Sequence, residues 1–381
     1  MKPSNGLNQS IKMPNIIYSK KIVDNANLPP VLEALFRKIG GLEGKISVGD
    51  KVLIKPNFVA PFPKATTDLA LIDFFVSKIR EIGGIPIIGE SSGFEFDTEA
   101  TFSILGIKKF AEERDVELIN FEKQRYTKIN LKNRLGVAEI ADAAIDSRLI
   151  INLAVLKRHT ITKVTGSVKN LFGLLSKPSR RHLHCHRLEE GISALALRFK
   201  RVIHVLDARD LLSRAVFGQP KPSNYILAGA DPFALDHFGS RILGINPKEV
   251  QYLLKTESYK TDGEIPDTFP PYIKSISLKK RLHRMLYAMF YCLDEMKCSI
   301  LGGNSILPIL HWHFGVHPEL GDVNESELKN LSMLCPVGAI DTKRGKIIKG
   351  KCIKVRCLRC YNELGPCKII LKGFNRPKKP E

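Results

Sequence analysis

The sequence predicts a mostly parallel, doubly wound α/β sheet with helices on both faces, followed by a small cysteine-bearing module. Three observations predict it. Short apolar runs alternate with amphipathic stretches through the first two-thirds of the chain. Polar residues gather directly after those runs. Five of the eight cysteines fall between positions 335 and 367. At 381 residues the chain also exceeds the size at which one core stops growing, so it divides. The expected divisions are an α/β domain over 15–258, a linker and basic-apolar helical insertion over 259–325, the cysteine module over 326–372, and a basic tail over 373–381.

Taken in order, Lys51-Val-Leu-Ile-Lys55 is the first strand, ended by Pro56-Asn57. Thr67-Asp68 caps a helix whose apolar stripe is Leu71, Ile72, Phe75, Val76 and Ile79, and Gly83-Gly84 stops it. Ile85 to Gly89 is the next strand, which completes one strand–helix–strand unit. Further strands are expected at Val116–Asn120, Leu149–Leu153, Val202–Leu206 and Tyr225–Ala228. Helices are expected at Thr98–Leu105, Leu188–Phe199 and Pro232–Leu243, the last with Asp231 as N-cap. After Thr268-Phe-Pro-Pro-Tyr272, which reads as a linker, Leu278 to Cys298 forms a helix with a basic start and an apolar middle. That helix packs between domains or, as the alternative, touches a membrane surface.

Composition narrows the function classes. An apolar fraction of 44% describes an ordinary globule, and no stretch has the roughly 18 apolar residues of a membrane span. A polar N-terminus without a secretory core, and eight cysteines in a long chain, point to a reducing, cytoplasmic setting. The net charge of +20 is concentrated at one end, with thirteen Lys or Arg against two acids between Lys343 and Glu381. Basic charge there offsets a negatively charged metal–thiolate group, or greets an acidic electron-transfer partner. Nucleic acid is disfavoured, because Tyr361 and Phe374 are too few aromatics for base stacking.

The cysteine run reads Cys335-Pro-Val-Gly-Ala-Ile340, then Cys352-x4-Cys357-x2-Cys360-x6-Cys367. Clustered thiolates suit soft metals, and zinc in a four-thiolate site is one candidate. The Cys-Pro-Val-Gly-Ala step favours the other. In bacterial ferredoxins the last cysteine of a run precedes proline and ligates the cluster that its neighbours do not serve. A half-degenerate ferredoxin of this kind keeps a single [4Fe–4S] cluster on Cys335, Cys352, Cys357 and Cys360, with Cys367 as orphan or alternative fourth ligand. Cys292 and Cys298 read as buried structural thiols. The Arg181-His-Leu-His-Cys-His186 run is a lesser metal candidate, because alternating spacing in a loop is not selective.

In a doubly wound sheet, ligands bind at the carboxyl ends of the strands. Those ends deliver Lys55 and Asn57, then Glu90, Ser91, Ser92 and Gly93. They next deliver Lys157 and His159, then Lys169 and Asn170, and finally Asp207 and Asp231. Lys55, Lys157 and Lys169 are candidates to clamp a carboxylate or phosphate, with Asn57, Ser91, Ser92, Asn170, Asp207 and Asp231 around it. Lys157, His159 and Glu90 are the catalytic candidates, His159 or Glu90 moving protons. The Ser91-Ser92-Gly93 turn offers backbone N–H groups to an anion. Neither a Walker motif nor Gly-x-Gly-x-x-Gly occurs, so a standard nucleotide site has no support.

The same residues carry a resemblance. Val52-Leu-Ile-Lys-Pro-Asn57, Gly89-Glu-Ser-Ser-Gly93, Ile151-Asn-Leu-Ala-Val-Leu-Lys-Arg-His159, Val168-Lys-Asn-Leu-Phe-Gly173 and Asp231-Pro-Phe-Ala-Leu-Asp236 resemble domain-of-unknown-function family 362. That resemblance implies an uncharacterised iron–sulfur centre protein with a C-terminal ferredoxin-like segment, and implies no reaction. The insertion over 260–330 and the stretched cysteine spacing depart from the family pattern. The resulting expectation is a redox enzyme whose [4Fe–4S] cluster exchanges electrons with a small anionic substrate. The alternatives are a non-catalytic electron carrier or scaffold, and a zinc-binding protein associated with nucleic acid.

Overall fold

The computed structural model describes residues 15–24, 27–93, 96–159, 161–212, 220–269, 317–335, 338–348 and 368–372, with single positions 289, 293, 352, 360 and 364. Strand β1 (Asn15–Lys21) and helix α1 (Leu28–Lys38) lead into β2 (Lys51–Lys55). Helix α2 (Leu69–Glu81) starts where the sequence places it, with the Asp68 carboxylate accepting from the Ala70 amide at 2.8 Å. Its stripe of Leu71, Ile72, Phe75, Val76 and Ile79 is fully buried, at about 1.5–3 kcal/mol for each large side chain. Gly83 takes a φ of +78°, open to glycine without strain, and the helix ends.

Strand β3 (Ile85–Glu90), helices α3 (Thr98–Ile104) and α4 (Ile107–Glu113), and β4 (Glu117–Asn120) complete the first half. A hairpin follows, β5 (Tyr126–Asn130) with β6 (Val137–Ala141), then helix α5 (Asp142–Asp146) and strands β7 (Leu149–His159) and β8 (Lys163–Thr165). After these come α6 (Ser167–Asn170), α7 (Lys177–His186), α8 (Leu188–Arg198), β9 (Val202–Leu212), β10 (Pro220–Gly229), α9 (Pro232–Ile242) and β11 (Tyr259–Gly263).

The described residues form one large mixed sheet in the order β11-β1-β10-β9-β7-β2-β3-β4, with β8 paired to β7. Five adjacent strands, β9, β7, β2, β3 and β4, are parallel; β10 runs against them, and beyond it β1 and the edge strand β11 run with them again. Helices α1 to α4 cover one face and α6, α8 and α9 the other, in two separate apolar clusters. Because both faces are covered, β7 is buried over ten consecutive positions. From β2 the chain moves outward to β3 and β4, then returns to β7 and β9 on the opposite side. The strand order therefore reverses between β2 and β7, the place at which a doubly wound sheet forms its ligand crevice above the carboxyl strand ends.

Two strands outrun their expected ends. β7 continues to His159 instead of stopping at Leu153, and β9 continues to Leu212 instead of Leu206. Lys157 and His159 are therefore strand residues and not part of a following loop. The run Lys177–His186 is a helix, capped by the Ser176 hydroxyl, which accepts from the Ser179 amide at 3.2 Å. A loop was expected there. In a helix, positions two apart diverge, so His182 and His184 do not share a face.

Near the C-terminus, β12 (His317–Leu320) pairs antiparallel with β15 (Ile369–Lys372), and β13 (Ile340–Asp341) with β14 (Lys346–Ile347). Helix α10 (Glu325–Leu334) begins with a reciprocal cap between Asn324 and Glu327. A third apolar cluster joins Leu331 and Ile369 to Ala60, Phe62, Ala65, Phe96 and Leu212, with Cys360 and Leu364 packed against it. This C-terminal segment is thereby seated on the loop that follows β2. The helix expected at 278–298, the basic tail, Cys357 and Cys367 lie outside the described residues. No described helix is long and apolar enough to cross a membrane.

Candidate functional site

The crevice between β2 and β7 is built from a buried chain of amides. Lys157 Nζ donates to Asn57 Oδ1 at 3.1 Å and to the Ala65 carbonyl at 2.5 Å. Asn57 Nδ2 donates to Asn170 Oδ1 at 2.8 Å. Asn170 Nδ2 reaches Asn152 Oδ1 at 2.8 Å and the carbonyls of Lys55 and Pro56 at 3.3 and 3.2 Å. Asn152 Nδ2 donates to the Ser167 carbonyl at 2.9 Å and stands 2.9 Å from His204 Nδ1. Burial pushes His204 down to about 3, so its ring is neutral and Nδ1 accepts. All four side chains from Lys157 to Asn152 are at most 5% exposed, so each donor needs the acceptor it has.

Beside this chain lies an ion pair. Lys55 and Glu90 are in direct contact, both buried, and Lys55 Nζ also donates to the Pro56 carbonyl at 2.8 Å. Burial lowers Lys55 and raises Glu90, while each draws the other back toward its charged form. Glu90 Oε1 also accepts from the Phe58 amide at 3.3 Å. A methyl on Gly173 would stand 2.8 Å from Glu90 Oε2 and 3.0 Å from Lys55 Nζ, so the pair is fitted against a bare backbone.

The remaining cations have no such answer. Lys157 lies 2% exposed, and burial pushes it down to about 7, with Glu90 pulling weakly the other way. Lys169, on α6, is half-buried and forms no hydrogen bond or ion pair among the described residues. Burial, then the Lys157 charge, holds it well below the usual lysine range. His159 Nδ1 accepts from the Ile161 and Thr162 amides at 3.1 and 3.3 Å, which leaves the proton of the neutral ring on Nε2. Burial and the charges of Lys169, His184 and Lys157 hold its pKa well below 6.5. His184 of α7 is pushed to about 4 by burial and then Lys169. Lys157, Lys169, His159 and His184 thus lie within reach of one another's charge and form one basic cluster, the recess, where β7, α6 and α7 meet. Lys169, His159 and His184 keep partial solvent contact.

Helix α6 is held from behind. Asp236 accepts from the Ser167 and Val168 amides at 2.6 and 3.1 Å and from the Tyr252 hydroxyl at 3.0 Å. Burial raises Asp236 to about 7 despite those donors. Its side chain also occupies the space a Cβ at Gly166 would need.

The other sequence candidates fall outside the recess. Ser91 donates to the Gly173 carbonyl at 2.8 Å and Ser92 to the Phe58 carbonyl at 3.0 Å. The turn amides are spent as well, Ser92 N on Thr98 Oγ1 and Gly93 N on the Val59 carbonyl. Asp207 is paired with Arg209 at 2.7 Å, and Asp231 caps α9 while accepting from Asn15. Residues that sequence reasoning passed over are Asn152, Asp236, His204 and Arg180, which donates to the Ser92 carbonyl at 2.9 Å, whereas His184 is singled out only within the metal-candidate run. Asn152 and Asp236 stand inside the motifs quoted above and were visible there. His204 and Arg180 carried no signal, because their strand and helix extents set their positions.

Of the five clustered cysteines, Cys335, Cys352 and Cys360 are described; all three are half-buried. Cys335 Sγ accepts from the Ala339 amide at 3.2 Å. Among the described residues, no three His, Cys, Asp or Glu side chains converge on a point that a metal ion could occupy.

Comparison with known proteins gives three findings. A family model described as Domain of unknown function (DUF362) matches residues 52–241. The chain is 25% identical over 240 residues to the Thylakoid-associated protein sll1697 of Synechocystis sp., covering 59% of this chain and 73% of that protein. The lactate racemase apoprotein from Thermoanaerobacterium thermosaccharolyticum aligns with a TM-score of 0.41 at 13% identity. That alignment covers 60% of this chain and 57% of the racemase, so the chain spans little more than half of it.

Proposed function

Through residues 52–241 the chain belongs to the family described as Domain of unknown function (DUF362), which fixes no reaction, and we propose a function from the site itself. In this reading the protein is a redox enzyme that holds a small anionic substrate in the β2–β7 crevice. The observation that carries the substrate part is the recess in which Lys157 has only neutral acceptors and Lys169 none. Like charges gathered without a counter-ion repel one another, so such a recess makes sense with an anion in it. Lys169 binds the anion directly, His159 Nε2–H orients it, and Lys157, near 7, gives or takes a proton at neutral pH.

The redox part is supported by the cysteine spacing and by the seating of the C-terminal segment on the 59–65 loop. Cys335, Cys352 and Cys360, with Cys357 or Cys367, would hold a [4Fe–4S] cluster in a ferredoxin-like module, and a thiolate accepting an amide suits such a ligand. Bound there, the cluster would supply single electrons to the crevice side of the molecule. An acidic electron-transfer protein and a cytoplasmic setting complete the proposal.

One experiment tests both parts. Protein purified without air is analysed for iron, acid-labile sulfide and zinc, and its thermal unfolding is followed with and without carboxylates and phosphate. Comparable iron and sulfide, lost in Cys360→Ala, together with stabilisation by an anion, is the expected result. Stoichiometric zinc without sulfide overturns the redox part. Indifference to every anion overturns the substrate part.

A further inference from the structure

We infer that the recess takes a compact dianion, an oxyanion group with two negative charges such as a phosphate monoester presents, rather than a single carboxylate. This builds on the anion-site reading above and narrows its substrate class. The groups facing the recess are Lys157 and His159 from β7, Lys169 from α6, and His184 from α7. Each neighbouring charge is already committed. Glu90 is paired with Lys55 from β2. Arg180 of α7 is engaged by the Ser92 carbonyl and by Glu122 at 3.3 Å. Asp236 of α9 turns both oxygens to the amides of α6 and the Tyr252 hydroxyl. No described carboxylate answers Lys157 or Lys169. One bound negative charge would satisfy one ammonium and leave the other repelled, whereas two satisfy both.

The hydrogen-bonding capacity left over points the same way. Lys169 Nζ has no partner among the described residues, and His159 presents Nε2–H. Thr165 lies opposite Lys157 in the β7–β8 register, 6% exposed, with a hydroxyl that has no partner. A ligand rich in acceptors matches this set, and phosphate is acceptor-rich in every direction. Because burial depresses both lysines, and the Lys157 charge depresses Lys169 further, restoring their charge by a dianion draws protons from solution. Binding above pH 7 therefore proceeds with net proton uptake.

The test is calorimetry on the full chain at pH 8 and fixed ionic strength, with inorganic phosphate, malonate and acetate in Tris and in HEPES. Phosphate and malonate should each bind about tenfold or more tightly than acetate. The buffer dependence of the heat should show proton uptake. Lys169→Met should bring phosphate down to the level of acetate and shrink the uptake. That residue makes no bond among the described residues, and thermal unfolding of the unliganded variant checks that it folds. Lys64→Met, at an exposed ion pair, should change neither. Malonate above phosphate, or the reverse, tells whether the charges sit on two carboxylates or one phosphorus, and either supports a dianion. Acetate within about threefold of both overturns the inference while leaving an anion site intact. Equal loss in Lys64→Met and Lys169→Met also overturns it. If none of the three binds, the anion site itself falls too.

Discussion

On the β2 side of the crevice Lys55 meets Glu90, whereas on the β7 side Lys157 meets only an amide oxygen and a carbonyl. Both lysines are buried; Lys55 ends β2, and Lys157 stands two residues before the end of β7. They differ in their counter-charge. A buried cation with its own carboxylate is closed to a ligand and serves architecture. A buried cation with neutral partners retains the capacity to attract one. Residue type and position are therefore insufficient to tell a binding lysine from a structural one; the partner decides.

The largest effect should come from breaking the answered side. Glu90→Ala strands a buried ammonium and should cost about 3–5 kcal/mol in denaturant unfolding. Combining it with Lys55→Met should recover much of that loss, and a double-mutant cycle measures how much. Asp236→Asn comes next. It removes one of two acceptors serving the α6 amides, at about 1–3 kcal/mol. The folded Asp236 carboxyl at about 7 exceeds its ordinary value of 3.8, so the folded state holds the extra proton between those values. Stability contributed by that proton is lost as pH rises from about 4 to 7, and the Asn variant should lack this slope.

Lys157→Met sharpens the contrast, because its effect on stability should be smaller than that of Glu90→Ala while its effect on anion stabilisation is complete. In the folded protein Lys157 sits at about 7 against an ordinary 10.5. The folded state binds fewer protons across that window, so stability rises with pH from about 7 to 10.5, and the variant should show a shallower rise. At the small end, Lys64→Met breaks an exposed pair with Asp210 and should cost about 0–1 kcal/mol. If Lys64 outweighed Lys157 in anion binding, the comparison would be void.

Strand and helix interiors could be read from the sequence because apolar runs and their punctuation agree locally: Pro56 after β2, Asp68 before α2, Gly83-Gly84 after it. Strand ends were harder to place. Lys157 and Arg158 look like the start of a loop, yet β7 carries both, because distant carbonyls at Ala65 and Leu243 accept from them. Such acceptors come from residues 92 and 85 positions away, and local pattern cannot supply them. The same holds for Asp207, which looks free after a short strand and is taken by Arg209 in a longer one. Convergence of Lys55, Asn57, Lys157, Lys169, His159 and Asn170 on one crevice followed from the strand-end rule. Which of them stand free within it did not.

Ala65 is shared between two neighbourhoods. Its carbonyl clamps the Lys157 ammonium, while its side chain belongs to the apolar cluster that holds Leu331 and Ile369. The floor of the crevice and the seat of the C-terminal segment are thus two sides of a single loop wall. Removing everything after residue 316 would strip apolar cover from Ala60, Phe62 and Ala65 and slacken the grip on a lysine far from the cut. The α/β part of the molecule is consequently not a detachable cassette: the loop wall of its crevice is packed against the segment that follows it.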